Sequence, residues 1–385
     1  MQFFSNQEKR LQERYIELLS VCAMFSNLFS DTGIPFLYYR THENIFCEVF
    51  EAINVARDDI SIDAKKGNIG LGLKTFLHGN GKTFQKIAEF DKQLKKIDTS
   101  NQLNLIKTIS EYRNKRIMFA KNLHNLDNLI YHLTTRRKHE LLIFEQPMAM
   151  INVDNLKVTK TTSSSILFDD GINEYNFNFA KSTLLKRFIC SSSDLITSFE
   201  VNILEEPFNV LLDICKNRLA FSSEIKQTKP KDYIVLPLYN SRNREVEKRS
   251  GLNQWNAGGR NRDENEVYIQ IPSWLHKVKK NFFIYNTNDY KTSPFTVLLP
   301  NGKELSMRVC QSGGKALMSN PNNLLGKWIL REVLNIPVGT LITKELLDII
   351  GIDSIKLTKI NDNIYEMKFL KTGSFELFEH MYKGN

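Results

Sequence analysis

Apolar residues recur at helical spacing through the first thirty positions, where Leu11, Ile16, Leu18, Leu19 and Phe25 form one stripe, so a helix is predicted there. After a break at Asp31–Pro35, Thr41 is placed to cap a second helix, HENIFCEVFEAINVA. DISIDA then alternates apolar and polar residues, KKGN supplies a turn, and IGLGLKTF returns, which predicts a strand pair. The loop HGNG leads into a predicted helix from near Thr83, TFQKIAEFDKQL, and helical spacing resumes from about Asn101 to Thr134. That stretch ends in the basic cluster Arg136–Arg137–Lys138. LLIFEQ, SSILFDD and EYNFNFA are predicted strands, and KSTLLKRF a short basic helix. EIKQTKPKD, polar and containing Pro230, is the best linker candidate. Beyond it strands dominate (YIVLPLY, EVYIQIP, FFIYN, FTVLLP, ELSMRVC, SIKLTKI and IYEMKF), interrupted by the helical patterns NLLGKWILREVLN and KELLDIIG. The expected architecture is an α/β part over residues 1–228 and a mainly β part over 229–385.

Composition fits that division. At 385 residues the chain has room for two or three domains, and its 42% apolar and 25% charged residues are ordinary for a globular protein with a real core. Charges interrupt every apolar run before the ~18–20 residues needed to cross a bilayer. The start, MQFFSNQEKRLQERY, turns charged too soon for a secretory signal. Cys22, Cys47, Cys190, Cys215 and Cys310 lie far apart, which argues against a disulfide framework and against a cysteine zinc site. A cytoplasmic location without membrane contact is expected.

Net charge adds information once it is located. From Lys231 to the end there are 22 basic and 16 acidic residues, so +6 of the net +9 lies there. Arg242, Arg244, Lys248, Arg249, Arg260 and Arg262 fall in one short stretch against Glu245 and Glu247. A polyanion partner follows naturally, because phosphate contacts dominate nucleic-acid affinity; a solvated basic loop is the plainer alternative.

The stretch from Asp63 to Lys74 carries the most chemistry. A carboxylate on one strand and a lysine on its partner can meet at one phosphate, the first holding Mg²⁺ and the second steadying charge or orienting water. The helix–hairpin–helix order resembles the PD-(D/E)XK nuclease fold, whose motif places another carboxylate two residues before the lysine. Here that position is Gly72. Two replacements are available as metal ligands beside Asp63: Glu89, after Lys74, and Glu43, at the start of the preceding helix, where it borders Phe46 and Phe50. An alternative register takes Asp63–Ala64–Lys65 as the motif, with Lys65 and Lys66 in an apparent turn. Other chemistries fail by absence. No His-x-Lys occurs, which excludes a phospholipase-D-type site, and His124 and His132 do not make a metal-ligand pair. GNGKT at Gly79–Thr83 lacks the first glycine of a Walker loop, since Phe76 stands there, although backbone amides at a helix start could still meet a phosphate.

The segment RSGLNQWNAGGRNRDENEVYIQIP collects side chains suited to base edges: Arg249, Asn253, Gln254, Asn256, Arg260 and Arg262, around Trp255. A second polar stretch, Gln311–Asn323, adds Lys315, Asn320, Asn322 and Asn323. Together with GKALMSNPNNLLGKWILREVLNIPVGTLITKELLDIIGIDSIKLTKINDNIYEMKF, this region resembles the C-terminal domain of a group of bacterial restriction endonucleases, similar to the plant B-three domain and the EcoRII effector domain. The resemblance implies a seven-stranded pseudobarrel, with two helices, that grips the major groove with two arms, here Arg249–Arg262 and Gly313–Asn323. The best-known relatives carry a phospholipase-D-type nuclease in front, which this chain lacks. DISIDAKKGNIGLGLKTF and FNFAKSTLLKRF also resemble restriction enzymes. The implied protein is a type II restriction endonuclease with Mg²⁺ as cofactor and double-stranded DNA as substrate. A cognate DNA methyltransferase is its expected companion, and a homodimer is one option. The competing expectations are a non-enzymatic DNA-binding regulator and a nuclease that cuts only modified DNA.

Overall fold

In a computed structural model that describes residues 2–56, 61–90, 101–219, 231–286 and 288–383, the chain forms three sheets. Elements are numbered in chain order. Helices α1 (Lys9–Met24) and α2 (Tyr39–Phe50) come first, and their inward residues, Tyr15 and Leu19 on one and Phe46 and Phe50 on the other, repeat at four-residue spacing. Strands β1 (Ile53–Asn54), β2 (Ala64–Lys66) and β3 (Ile69–Leu77) follow, then β4 (Lys82–Glu89), α3 (Gln102–His124), β5 (Asn128–Arg137) and β6 (Glu140–Pro147). Next come β7 (Lys157–Thr161), β8 (Ser165–Asp169), β9 (Glu174–Asn178), β10 (Thr183–Ile189), β11 (Thr197–Glu200) and α4 (Pro207–Leu219). The first sheet has the order β1-β2-β3-β5-β6-β11, with β3 and β5 parallel, and α1 and α2 bury their apolar stripes on Leu71, Leu73, Ile130 and Ile143. The second sheet is antiparallel, β4-β10-β9-β8-β7, and packs Phe168, Phe177 and Leu184 against Leu105, Ile106 and Ile109 of α3.

The remaining elements are β12 (Tyr233–Pro237), β13 (Ile269–Gln270), α5 (Ser273–Val278), β14 (Phe295–Leu298), β15 (Glu304–Cys310), β16 (Ala316–Ser319) and α6 (Leu324–Gly326). Helix α6 continues as a π-helical stretch, Lys327–Val333, and is followed by α7 (Lys344–Ile350), β17 (Ile352–Asn361), β18 (Ile364–Lys371) and α8 (Ser374–Lys383). Seven strands make a mixed sheet, β12-β17-β18-β14-β15-β16-β13, whose edges β12 and β13 approach each other, so it curls into a nearly closed barrel. Its core contains Val297, Met307, Trp328, Ile355 and Tyr365. Phe119 and Leu123 of α3 belong to the same core, so the barrel is completed by a helix from the first part of the chain. Arg116, fully buried on that helix, donates to the carbonyls of Ile349 (2.9 Å) and Glu89 (2.6 Å) and lies over the Phe90 ring. Burial pushes its guanidinium down to about 9.

Several sequence expectations change. TFQKIAEF and KSTLLKRF are not helices but β4 and β10, paired along their whole length. The long helix ends at His124, where Asn125 takes a left-handed cap (φ +54°), and NLIYHLTTRR is a strand, so Arg136–Lys138 sit at a hairpin. GNGKT therefore joins two strands, and no helix start is available there for a phosphate. Thr41 lies inside α2, and the cap position is Tyr38. Lys65 and Lys66 are in β2, with the turn at Gly67–Asn68. FFIYN keeps only an isolated bridge at Tyr285, while β16, α5 and α8 were not foreseen. The linker candidate around Pro230 lies largely outside the described residues. Among those described, no helix is long and apolar enough to cross a membrane, and the five cysteines are free.

Candidate functional site

Asp63 precedes β2, and its backbone still pairs with both neighbours: its N–H donates to Leu71 O (2.8 Å), and its carbonyl accepts from Val55 N–H (3.0 Å). The side chain is thereby fixed at the edge of the hairpin, where its Oδ2 accepts Leu73 N–H (2.8 Å) and stands 3.9 Å from Lys74 Nζ. Glu43, on the buried side of α2, adds a second carboxylate, paired with Arg40 at 2.8 Å. Burial, then the neighbouring charge of Asp63, raises the Glu43 pKa above the usual carboxylate range, while Arg40 and Lys74 pull it back. Two carboxylates, one lysine and one arginine therefore share a site.

Glu89 is elsewhere. It ends β4 in the second sheet and pairs with Lys86 at 2.8 Å. Lys65 points to the barrel, donating to Pro300 O at 2.8 Å, so Lys74 is the lysine that faces Asp63. At Gly72, the position of the usual second carboxylate, a Cβ would come within 2.6 Å of Met148 Cε and 2.9 Å of the Tyr131 ring, so a side chain there would require both to shift.

Behind the site, α2 is locked by a buried polar chain. Tyr15 Oη bonds His42 Nε2 (2.8 Å) and His132 Nε2 (3.1 Å), and His132 Nδ1 meets Glu145 Oε1 (2.9 Å). Glu145 also accepts Phe3 N–H (2.6 Å) and Phe4 N–H (3.0 Å). Burial, with the nearby His132 and Lys74, holds the His42 pKa well below its ordinary value, so the imidazole beside Glu43 is neutral. His132 thus serves this network, and no metal pair forms with His124.

The donor set suits Mg²⁺. That ion takes one or two carboxylates and completes its shell with water and substrate phosphate. Among the described residues no group of three or more His, Cys, Asp or Glu gathers, so an all-protein cage is not what this site offers.

On the barrel, the first arm divides. Asn253 is fully buried; its amide donates to Glu247 O (3.0 Å) and Ile342 O (2.8 Å) and accepts Ile342 N–H (2.9 Å), which leaves nothing for a base. Arg260 holds Glu266 through two bonds (2.5 and 2.7 Å), Arg262 lies 3.6 Å from the same carboxylate, and Asn322 donates to it (2.9 Å). In its satisfied amide orientation, Gln254 also accepts from Arg262. Asn256 donates to Lys248 O, Asn323 to Asp263, and Trp255 packs on the core. Gly326 explains this tight packing, because a Cβ there would strike Asn265 O at 1.9 Å. Asn320 and Arg249 remain exposed.

An open cleft lies instead between residues 239–251 and 311–315. Two adjoining hollows, about 290 and 870 Å³, share Arg242, Gln270 and Lys315 on their walls. Neither Arg242 nor Lys315 forms an ion pair among the described residues. The 311–315 loop is braced: His276 Nε2 bonds Gly314 O (3.1 Å), and Asp289 accepts Gly313 N–H (2.7 Å). Arg242 carried a signal as part of the basic stretch; Gln270 carried none, because it reads as an outward strand residue.

Residues 223–361 match the family model described as the NgoFVII C-terminal B3-like DNA-binding domain. The barrel is accordingly similar to a restriction enzyme's B3-like DNA-binding domain, which supports sequence-specific binding and makes double-stranded DNA the partner to expect for this part of the chain. No curated protein matches the chain.

Proposed function

We propose that this chain is a sequence-specific, Mg²⁺-dependent endonuclease of the type II restriction class, with a PD-(D/E)XK-like nuclease in residues 1–228 and DNA recognition in 229–385. The observation that carries it is the pairing of Asp63 with Lys74 at one hairpin edge, with Glu43 of the adjacent α2 near enough to feel both charges, in a chain whose other part is similar to a DNA-binding domain. Asp63 and Glu43 would hold the cation, which when bound supplies an activated water and neutralises charge developing on the phosphate. Lys74 places its ammonium beside the same phosphate, and the hydrogen bond from Leu73 N–H keeps Asp63 aimed at it. The buried His42–Tyr15–His132 chain holds α2, and so Glu43, against the sheet. In the barrel, Arg242, Gln270 and Lys315 face the groove. A host carrying such an activity needs a methyltransferase of matching specificity, and the free cysteines suit a reducing cytoplasm. Incubation of unmethylated plasmid with Mg²⁺ should give discrete fragments, with none after Asp63→Ala. Specific band shifts without fragments from the wild-type chain would mean a non-enzymatic regulator. Cutting confined to methylated plasmid would mean a modification-dependent nuclease.

A further inference from the structure

Arg40 stands on the first turn of α2, its guanidinium 2.8 Å from Glu43 Oε2 and over the Tyr39 ring at 5.1 Å. The two ends of the pair differ in exposure. The Glu43 side chain is 6% accessible, whereas that of Arg40 is 33% accessible and rests beside Tyr38 and Tyr39, both about half exposed. A nearly buried carboxylate close to a second carboxylate needs a positive charge, and Arg40 is the cation bonded to it. Lys74 is the cation on the Asp63 side. The site thus carries one internal counter-ion per carboxylate. A divalent ion held by both carboxylates would displace one of them; the two cations are similarly accessible, but Lys74 is fixed on β3 beside Asp63, whereas Arg40 stands on the first turn of α2 next to the half-exposed Tyr38 and Tyr39.

We infer that Arg40 is an exchangeable counter-ion: it neutralises Glu43 when no divalent ion is bound, and on exchange swings out to grip a DNA phosphate. The inference rests on the nuclease reading of Asp63 and Glu43 and names a positioning residue for it. It makes Arg40 a competitor of the metal and an ally of the DNA, two effects of opposite sign that a simple structural role would not produce.

The test uses the full chain in four forms: wild type, Arg40→Met, which keeps the apolar stem over Tyr39, Arg40→Lys, and Glu43→Gln as a control for the metal site, with thermal melts confirming that all are folded. Mn²⁺ binding without DNA, followed by electron paramagnetic resonance, should tighten about three- to tenfold in Arg40→Met, as expected for removing a partly exposed competitor, with Arg40→Lys close to wild type. DNA affinity is then measured by fluorescence anisotropy at several salt concentrations, with Ca²⁺ and with chelator. With Ca²⁺ the slope of log affinity against log salt should fall by about one in Arg40→Met, the loss of one phosphate contact, and with chelator it should not change. Unchanged or weaker Mn²⁺ binding in Arg40→Met would overturn the inference while leaving the nuclease reading intact. So would an equal drop in slope under both conditions. If the wild-type chain binds no Mn²⁺ and Glu43→Gln behaves identically, the metal site itself is wrong and the inference falls with it.

Discussion

Two carboxylate–arginine clusters, one in each part of the molecule, lead to opposite conclusions. Glu266 in the barrel is 2% exposed and receives two bonds from Arg260, one from Asn322 and the nearby charge of Arg262. Every donor it needs is already present. Glu43 and Asp63 form the other cluster, where two carboxylates share fewer donors at an edge that solvent reaches. A saturated cluster ties loops together; an under-supplied and accessible one has capacity left for a ligand. Arg260 and Arg262 are therefore tied to Glu266 in this structure, whereas the hairpin cluster is the one proposed for the chemistry.

The sharpest way to break this contrast is to remove the chemistry. Asp63→Ala and Lys74→Ala should each lower DNA cleavage at least about a thousandfold, with specific binding in gel shifts retained. Retained cleavage in either variant would dissolve the assignment. Next in size, Glu266→Ala strands two arginines in a partly buried site and should cost about 3–5 kcal/mol of stability by urea denaturation. A base-reading role for Arg260 would instead show as lost discrimination at unchanged stability.

Asp353 sharpens the comparison, because it is short of donors but sealed from solvent. Its carboxylate accepts Gly373 N–H at 2.9 Å, and burial raises its pKa to about 6. With the folded value above the unfolded value near 3.9, its contribution is fully present below about pH 4 and is lost as pH rises through about 6. Urea midpoints should therefore drop by the equivalent of up to about 3 kcal/mol across that window, and Asp353→Asn should flatten the change. An under-supplied carboxylate without access holds its proton to a higher pH than usual, and the cation beside it is the chain's own Lys344, at 3.9 Å.

The smallest effects separate reading from packing. Arg242→Ala or Lys315→Ala should weaken DNA binding by about 1–2 kcal/mol without affecting the melting temperature. Asn253→Ala should do the reverse, lowering stability by about 2–3 kcal/mol while the ratio of matched to scrambled duplex affinity holds. Competition anisotropy beside thermal melts distinguishes the two patterns.

The returning strand through Lys74 and its glycine turn were legible because they are local, whereas DISIDA was not the strand expected: the first strand is Ala64–Lys66, after Asp63, and part of DISIDA lies outside the described residues. The partner carboxylate was legible only as a choice between Glu43 and Glu89, since α2 meets the hairpin through tertiary packing. KSTLLKRF misleads because Lys186 is buried, so its strand period of two is masked by a charge on the inward face. TFQKIAEF fails for a related reason: pairing with β10, not its own spacing, determines its state. On the barrel, the residue types of the arm were plain, but the Ile342 backbone that consumes Asn253 lies far along the chain, and Glu266, although in the same segment, is turned onto Arg260 and Arg262 only by the fold.

Helix α3 has a consequence for how such proteins can be recombined. Phe119 and Leu123 sit in the barrel's core, and Arg116 binds a barrel carbonyl, so the heritable unit of recognition is larger than the stretch that makes the seven strands. A chimaera cut near Asp232 would transplant a barrel with an open apolar wound and leave Arg116 Nε in the donor without the acceptor it has at Ile349 O. Joining another N-terminal part to this barrel would therefore require one that brings a helix of the right face, so the docking helix, rather than the linker, limits which partners the barrel can take.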